Sequence, residues 1–413
     1  MTFQEKLKKF AYLLVGLGVN LQKGQYLLLD IDVENYDLAR AITEEAMQKG
    51  AADVIVHWSD PHMDRSRAMY SPLEDLSAVE NWETESYGKY IESGACSLRV
   101  ISAHPTLFDG VDPERAAAVQ KHGNNTRNIL RKGTAEKGMH WCISTAPSAN
   151  WAQFLFPELP AEESVAKLWD VLFQVSCIDE NDPIENWLQM MNTNSKYVGL
   201  LNDHDVDSIH FYNNWGTDLT IGFQPGVHWV GAMASEYTPE TYLPNLPTAE
   251  VSTSPDKYRV NGTVAASRPM MEGGTVIKDF GFTFKDGQVV DFYAGQGYDA
   301  LKKLLDTDEG AKYLGEVAFV QCDSPIAQTG LLFLNTLLDE NAACHLALGR
   351  GFNILFEGVS GTDYSQWDAV NLNHSNIHVD FMFGTDDMNA EVTMRDGSKM
   401  LVFKNGKFNP DIV

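Results

Sequence analysis

Alternating strand and helix patterns at the start of this chain restrict its fold more than any other feature. Residues 25–31 (QYLLLDI) form an apolar run, residues 38–49 repeat apolar side chains at helical spacing, and residues 53–58 (DVIVHW) form a second run. This order predicts a parallel sheet with helices packed on it. No Gly-x-Gly-x-x-Gly follows the first run, so a dinucleotide-binding oxidoreductase is not indicated.

The same kind of patterning continues to about residue 173. It predicts strands at 98–102 and 141–146, helices at 113–121 and 162–173, and a loop at 147–160.

The pattern changes near residue 190. Short runs rich in aromatic and β-branched residues follow at 208–212, 219–221 and 228–230, separated by Gly, Pro and Asn. Such runs predict antiparallel strands in an α+β domain. At the end of the chain, residues 401–408 (LVFKNGKF) predict a hairpin with an Asn-Gly turn.

A polar, turn-prone stretch at residues 179–183 (DENDP) marks the expected boundary between these two patterns. We therefore expect an α/β N-terminal domain with a mostly parallel sheet over residues 1–185. We expect an α+β C-terminal domain rich in antiparallel sheet over residues 186–413.

Acidic residues outnumber basic ones in this 413-residue chain, with 57 Asp and Glu against 31 Lys and Arg and a formal net charge of -26. This charge repels nucleic-acid phosphates and anionic lipid surfaces. No run approaches the roughly 18 apolar residues of a membrane span, and the apolar residues 10–17 lack a following signal-peptide cleavage site. Five scattered cysteines, an odd number, favour a reducing compartment. We expect a cytoplasmic protein without nucleic-acid or membrane partners.

His378 and Asp380 form the most informative local pattern. They lie two residues apart in an apolar run, so in a strand their side chains point to the same face. An imidazole beside a carboxylate is half of a site for zinc or a related divalent cation. A hydrogen-bonded structural pair is the alternative.

His345 begins a second informative segment, HLALG. In a strand it shares a face with Ala347 and Gly349, whose small side chains leave room for a ligand. Glu340 lies just upstream, at the end of a helix that the apolar residues 330–338 predict. The alternative is a histidine that bonds to a backbone carbonyl.

Glu250 and Glu316 are two further candidate ligands. Glu316 is followed at once by an apolar run, where burial of an unpaired charge is costly. A bound metal ion would remove that cost. The alternative is a glutamate at a strand end that is exposed to solvent, for which there is no burial cost.

Together the candidates provide four carboxylates and two imidazoles, enough to hold two divalent cations with one bridging carboxylate. Two such ions lower the pKa of a water molecule and polarise a carbonyl, as amide hydrolysis requires. Neither the Gly-x-Ser-x-Gly nor the His-Glu-x-x-His motif occurs.

At these residues the sequence resembles the thermophilic-type metalloaminopeptidases, the aminopeptidase T, aminopeptidase S and PepS group. The resemblance is carried by segments spread along the chain: 18–24, 147–152, 246–253, 314–316, 340–349 and 378–382. It implies an α/β N-terminal domain, a C-terminal catalytic domain, a homodimer, and the removal of N-terminal amino acids from peptides with a free N-terminus.

The resemblance also implies two divalent ions, which are Zn, Co, Mn or Mg, together with their ligands. The implied ligands are Glu250, Glu316, Glu340, His345, His378 and Asp380. Glu250 and Glu316 are the expected catalytic residues, with Glu316 bridging the ions and Glu250 moving the proton.

One position departs from the family pattern. Phe352 stands where the family has a tyrosine, seven residues after the histidine of the HLALG segment. The hydroxyl of the family's tyrosine is therefore missing here unless another group, such as Tyr364, replaces it. A metal-binding but weakly catalytic relative, acting as a binding module, is the alternative function.

Overall fold

The described helices and strands belong to a computed structural model that covers residues 1–179, 181–231, 233, 241–272, 275–359, 361 and 363–412. The helices are α1 (Phe3–Leu13), α2 (Tyr36–Gln48), α3 (Pro61–Tyr70), α4 (Asn81–Glu92), α5 (Pro113–Lys137), α6 (Ala149–Leu155), α7 (Ala161–Val175), α8 (Pro183–Asp203), α9 (Tyr298–Leu305), α10 (Thr336–Asp339) and α11 (Tyr364–Ala369). None of these helices is both long enough and apolar enough to span a membrane.

The strands before residue 260 are β1 (Tyr26–Asp32), β2 (Asp53–Ser59), β3 (Cys96–Ile101), β4 (Trp141–Thr145), β5 (Val206–Tyr212), β6 (Asp218–Gly222), β7 (Val230–Gly231) and β8 (Val251–Thr253). Those that follow are β9 (Val260–Ala265), β10 (Met270–Glu272), β11 (Thr275–Lys285), β12 (Gln288–Gln296), β13 (Leu314–Phe319), β14 (His345–Gly349), β15 (His378–Met382), β16 (Asn389–Met394), β17 (Lys399–Lys404) and β18 (Lys407–Phe408).

Two compact units make up the fold. One comprises Met1–Trp187 and Met233–Pro247, and the other comprises Leu188–Ala232 and Thr248–Val413. The domain boundary between residues 185 and 186 stays a prediction.

The first unit contains the parallel sheet that the alternating pattern predicts. Its strand order is β2-β1-β3-β4, and all neighbouring strands are parallel. The β1 side chains Leu27, Leu28 and Leu29 alternate between the two faces of the sheet and are all buried, as in a parallel sheet that is covered on both faces.

One helix prediction in this unit is confirmed and one loop prediction is wrong. The helix expected at 113–121 forms but is longer, because α5 extends over Pro113–Lys137, whereas the loop expected at 147–160 contains α6. Ser148 starts α6, since its hydroxyl accepts a hydrogen bond from the Trp151 N–H at 3.0 Å. Serine at this position is an N-cap signal that the loop prediction overlooked.

The second unit contains antiparallel sheets, as predicted. One has the order β10-β11-β9-β6-β5-β16-β17-β18 with β12 beside β11, and the other has the order β15-β14-β13-β8-β7. Aromatic side chains pack between them: the rings of Phe211 and Phe319 lie 5.3 Å apart, and those of Phe282 and Phe381 lie 5.0 Å apart. One face of the β15-β14-β13-β8-β7 sheet is therefore committed to the core.

Two local predictions in this unit have different outcomes. The expected C-terminal hairpin is confirmed, with Asn405 and Gly406 at positive φ between β17 and β18. The helix expected at 330–338 is wrong, because only α10 forms there. Gly330 and Leu334 have φ of 65° and 55°, which a right-handed helix does not accommodate.

Candidate metal centre

β14 lies at the middle of the candidate centre and has two different faces. Leu346 and Leu348 point into the core and are fully buried. The alternating residues His345, Ala347 and Gly349 point to the opposite face. The expected orientation of His345 beside two small residues is therefore confirmed.

The strand register places the acidic residues on the same face as His345. Ala347 pairs with Glu316 on β13 and with Asp380 on β15, while Gly349 pairs with His378. Paired residues of antiparallel strands lie on one face. Because Ala347 and Gly349 are small, the longer side chains of their neighbours meet above them.

Glu250 reaches the same place from the next strand. It directly precedes β8, whose Val251 pairs with Phe319 on β13. Its carboxylate lies 3.3 Å from the His345 Nε2 atom, measured from Oε2. The Glu250 side chain is 19% exposed, so this end of the centre is open to solvent.

These side chains form two groups that could each hold a metal ion. The ligand atoms of Glu250, Glu316 and His345 lie within 4.8 Å of one another, as do those of Glu316, His378 and Asp380. His378 Nε2 lies 3.2 Å from Glu316 Oε2 and 3.4 Å from Asp380 Oδ1. Glu316 therefore belongs to both groups.

Glu340 lies beside these groups but belongs to neither. It begins a short 3₁₀ turn directly after α10 and lines a cavity together with His378 and Asp380. Burial and the negative charges of Asp380 and Glu250 hold the pKa of Glu340 well above its usual range.

The candidate ligands shift one another's pKa values. Burial raises the pKa of Glu316, and the charge of Glu250 adds to this effect. Burial lowers the pKa of His345, but its hydrogen bond with Glu250 and the nearby carboxylates outweigh burial and raise that pKa to about 10. The carboxylates around His345 therefore favour a positive charge at this position.

Polar atoms without partners test whether a cation fits. His378 Nδ1 lies 2.7 Å from the Arg350 carbonyl oxygen and donates to it, which leaves Nε2 free as a ligand. Among the described residues, no group makes a hydrogen bond to the buried Asp380 Oδ1 atom. Divalent cations bind this combination of carboxylates and imidazoles, so the residues fit them.

Asn341 contacts the segments that carry Glu250 and Glu340, and this role was not predicted from the sequence. Its fully buried side chain accepts a hydrogen bond from the Ala249 N–H at 2.7 Å and donates to the Leu337 carbonyl at 3.1 Å. It also lies 3.4 Å from a carboxylate oxygen of Glu340. The sequence feature that could have indicated this role is the position of the asparagine directly after Glu340, a candidate ligand.

The cavity beside Glu340 was also missed. It has a volume of about 140 Å³ and is lined in part by Met270, Met271, Met382 and Leu334. Glu272 also lines it, and burial raises the pKa of this carboxylate. Methionine side chains adapt to ligands of different shape, so the cavity can accept a flexible apolar group.

Phe352 lies next to the centre, whereas Tyr364 makes other contacts. The ring centroids of Phe352 and His378 are 5.0 Å apart, and Phe352 is 39% exposed. The Tyr364 ring stacks on His374 at 4.7 Å and contacts the edge of Trp367. Neither His374 nor Trp367 belongs to the two groups of ligands.

Comparisons with known proteins show which proteins this chain is similar to. A family described as thermophilic metalloprotease (M29) matches residues 3–408. Aminopeptidase AmpS of Bacillus subtilis is 36% identical over 98% of this chain and 99% of its own length. Aminopeptidase PepS of Streptococcus thermophilus is 37% identical over 98% of both chains. The structure of wild-type AmpT from Thermus thermophilus matches with a TM-score of 0.91 at 34% identity, over 98% of this chain and 100% of that one.

Proposed function

This chain belongs to the thermophilic metalloprotease (M29) family and is a metalloaminopeptidase, and we propose that it works with two divalent cations at the candidate metal centre. One cation would be held by Glu250, Glu316 and His345, and the other by Glu316, His378 and Asp380. The observation that carries this proposal is that Glu316 belongs to both groups. A single carboxylate between two sets of ligands is the arrangement of a bridged pair of ions.

The protein's own residues prepare this site. Two bound cations would supply Lewis-acid polarisation of the scissile carbonyl and a lower pKa of water. His378 is held by the Arg350 carbonyl so that Nε2 faces Glu316 and Asp380. The sheet supplies a rigid base, since three of the strands that carry ligands are hydrogen-bonded neighbours.

Proton transfer needs a carboxylate near the reacting groups. Glu250 was expected to carry the proton from water to the leaving amine, and its partial exposure supports access to substrate. Glu340 is a second candidate, because it lies outside both groups and is therefore less engaged as a ligand.

Peptides with a free N-terminus are the proposed substrates, as the aminopeptidase relatives indicate. Glu340 and Glu272 line the adjoining cavity outside both groups of ligands, so they would remain to accept hydrogen bonds from the α-amine of such a peptide, whereas an acetylated nitrogen has only one hydrogen to donate. The methionine-lined cavity beside Glu340 would receive the first side chain. We also propose that the enzyme is a cytoplasmic homodimer, in line with its family resemblance and its five free cysteines.

The test compares substrates and metal states of one preparation. Leucine p-nitroanilide and its N-acetylated form are incubated with the untreated enzyme, the chelator-treated enzyme, and the treated enzyme supplied with Zn, Co, Mn or Mg. We expect cleavage of the free substrate alone, loss of activity with the chelator, and recovery with at least one cation. Equal cleavage of the acetylated substrate would exclude an aminopeptidase, and chelator-resistant activity would exclude metal dependence.

A further inference from the structure

A second, larger cavity lies in the second unit beside the candidate metal centre. It has a volume of about 450 Å³, and the residues that line it belong to this unit. Ala342, Ala343 and Cys344 form part of its wall and directly precede His345. The larger cavity therefore begins next to the group of ligands that contains His345.

The centre adjoins both the larger cavity and the smaller, methionine-lined cavity. Residues 267–268 line the larger cavity, whereas residues 269–272 line the smaller one. His378 and Asp380 also line the smaller cavity, and His345 follows the wall of the larger one. A peptide that is cleaved at the centre with its first side chain in the smaller cavity has the larger cavity available for the residues that follow.

Arg268 brings a positive charge to the wall of the larger cavity. Burial lowers its pKa, so part of the guanidinium group is removed from water. Among the described residues this group makes one hydrogen bond, from Nη1 to the Leu331 carbonyl oxygen at 3.2 Å, and no ion pair with a carboxylate. Its remaining N–H donors are therefore left for a ligand. Removal of a charge from water is unfavourable unless a partner compensates for it.

The neighbouring acidic residues do not occupy these donors. The charge of Asp339 raises the pKa of Arg268, but Asp339 Oδ1 and Oδ2 accept hydrogen bonds from two backbone N–H groups within residues 333–335, at 2.8 and 3.0 Å. Asp386 and Asp387 also line the cavity, and neither is among the groups whose charge shifts the pKa of Arg268. The guanidinium group thus has no carboxylate of its own in the described part of the chain.

Ser267 adds a second polar group to the same wall. Its hydroxyl is buried and has no hydrogen-bond partner among the described residues. Its backbone N–H donates to the Met382 carbonyl oxygen at 2.8 Å, so Ser267 lies directly beside β15. Met382 follows Asp380 by two residues on this strand, and residues two apart in a strand are separated by roughly 7 Å. Ser267 and Arg268 therefore lie within the length of a short peptide from a candidate metal ligand.

From this geometry we propose that Arg268 binds the C-terminal carboxylate of a dipeptide or tripeptide substrate, with the Ser267 hydroxyl as a further donor. A guanidinium group fits a carboxylate through two parallel hydrogen bonds. The inference rests on the proposed function and adds short peptides as its substrate class. An acidic side chain in the second residue of a substrate offers the same chemical group, so the test separates these two sources.

The test compares peptides with and without the carboxylate on the metal-loaded enzyme. The substrates are Leu-Gly, Leu-Gly amide, Leu-Glu amide and leucine p-nitroanilide. We expect the wild type to cleave Leu-Gly with a kcat/KM about 10- to 100-fold above that for either amide, since a hydrogen-bonded charge is lost in the amides. Arg268→Gln should remove this preference by raising KM for Leu-Gly, and it should leave cleavage of the amides and the anilide unchanged.

Two variants serve as controls. Arg259→Gln removes another arginine of the second unit, which pairs with Asp207 at 2.9 Å and lines neither cavity, and it should keep the wild-type preference. Arg268→Lys should keep part of the preference, because lysine retains the positive charge. This variant separates the loss of a charge from a change in folding.

Three outcomes would overturn the inference. Equal kcat/KM of the wild type for Leu-Gly and Leu-Gly amide, with the anilide still cleaved, would refute the carboxylate contact and leave the aminopeptidase activity in place. Equal losses on all substrates in Arg268→Gln would show that Arg268 is structural. Cleavage of Leu-Glu amide as efficient as that of Leu-Gly would assign the contact to an acidic side chain. If the wild type cleaves neither the peptides nor the anilide, the proposed function itself is wrong.

Discussion

Replacing Asn341 by alanine tests how the chain positions two of its candidate ligands. The Asn341 side chain joins the backbone just before Glu250 to the turn that begins at Glu340. It also donates a hydrogen bond to the Leu337 carbonyl in the preceding helix, α10. Because Asn341 is fully buried, water does not replace these contacts without a cost.

The expected decrease in the free energy of unfolding follows from the groups that lose a hydrogen-bond partner. Asn341→Ala leaves the Ala249 N–H and the Leu337 carbonyl without their side-chain partner, at about 1 to 3 kcal/mol each. We therefore expect the free energy of unfolding to fall by about 2 to 6 kcal/mol. Loss of a group that orients metal ligands should also weaken metal affinity by about 10- to 100-fold.

Two measurements separate these effects. Urea unfolding of the metal-free protein reports stability, and reactivation of the metal-free enzyme with increasing Co²⁺ reports the half-activating metal concentration. Asn35→Ala is the matched control, since Asn35 is also buried and donates to Ser102 Oγ and the Pro147 carbonyl in the other unit. It should lose stability without changing the half-activating concentration.

An unchanged half-activating concentration in Asn341→Ala would refute the positioning role, even if stability fell. A shift of the same size in Asn35→Ala would show that general loss of stability, rather than displaced ligands, is the cause.

Four further substitutions probe the centre. Glu316→Gln and His378→Ala should each abolish turnover and lower the bound metal content. The far-UV circular dichroism should stay near native, because both residues lie on one face of a sheet whose other face packs into the core. Full activity in either variant would show that the site is wrong. Glu340→Gln should reduce kcat but retain most of the bound metal, because Glu340 lies outside both groups of ligands. A loss of metal equal to that of Glu316→Gln would contradict this prediction. Phe352→Tyr should leave the melting temperature unchanged, because the ring is 39% exposed, and should change kcat less than tenfold. A missing oxyanion donor is worth about 2.7 to 4 kcal/mol, so a larger rise in kcat at equal metal occupancy would mean that the family tyrosine is needed and would support the weakly catalytic alternative.

Local sequence patterns predicted a large part of the candidate centre. His378 and Asp380 share a face because side chains alternate along any strand, and His345 lies beside Ala347 and Gly349 for the same reason. These relations depend on backbone geometry over a few residues, so they can be inferred without knowing the strand partners. The parallel sheet of the first unit followed equally from its strand and helix periodicity.

Other features depended on residues far apart in the chain. Periodicity did not predict the length of α5, and it missed α6 and the irregular residues before α10. Packing partners and single hydrogen bonds decide such boundaries, as the Ser148 cap does for α6. The role of Asn341 likewise exists only once residue 249 lies beside it.

The sequence alone determined which residue types the centre contains and which face of each strand they occupy, because covalent geometry sets the alternation of side chains. Only the tertiary structure decided that Glu316 belongs to both groups and that Glu340 lies beside them, in one cavity with His378 and Asp380. That outcome depends on the register of β13, β14 and β15, which places Glu316 and Asp380 on either side of Ala347. Register is selected by burial of the opposite face, where Leu346, Leu348 and Phe381 pack into the core, and a shift of one residue in one of these strands would turn the ligands of that strand inward.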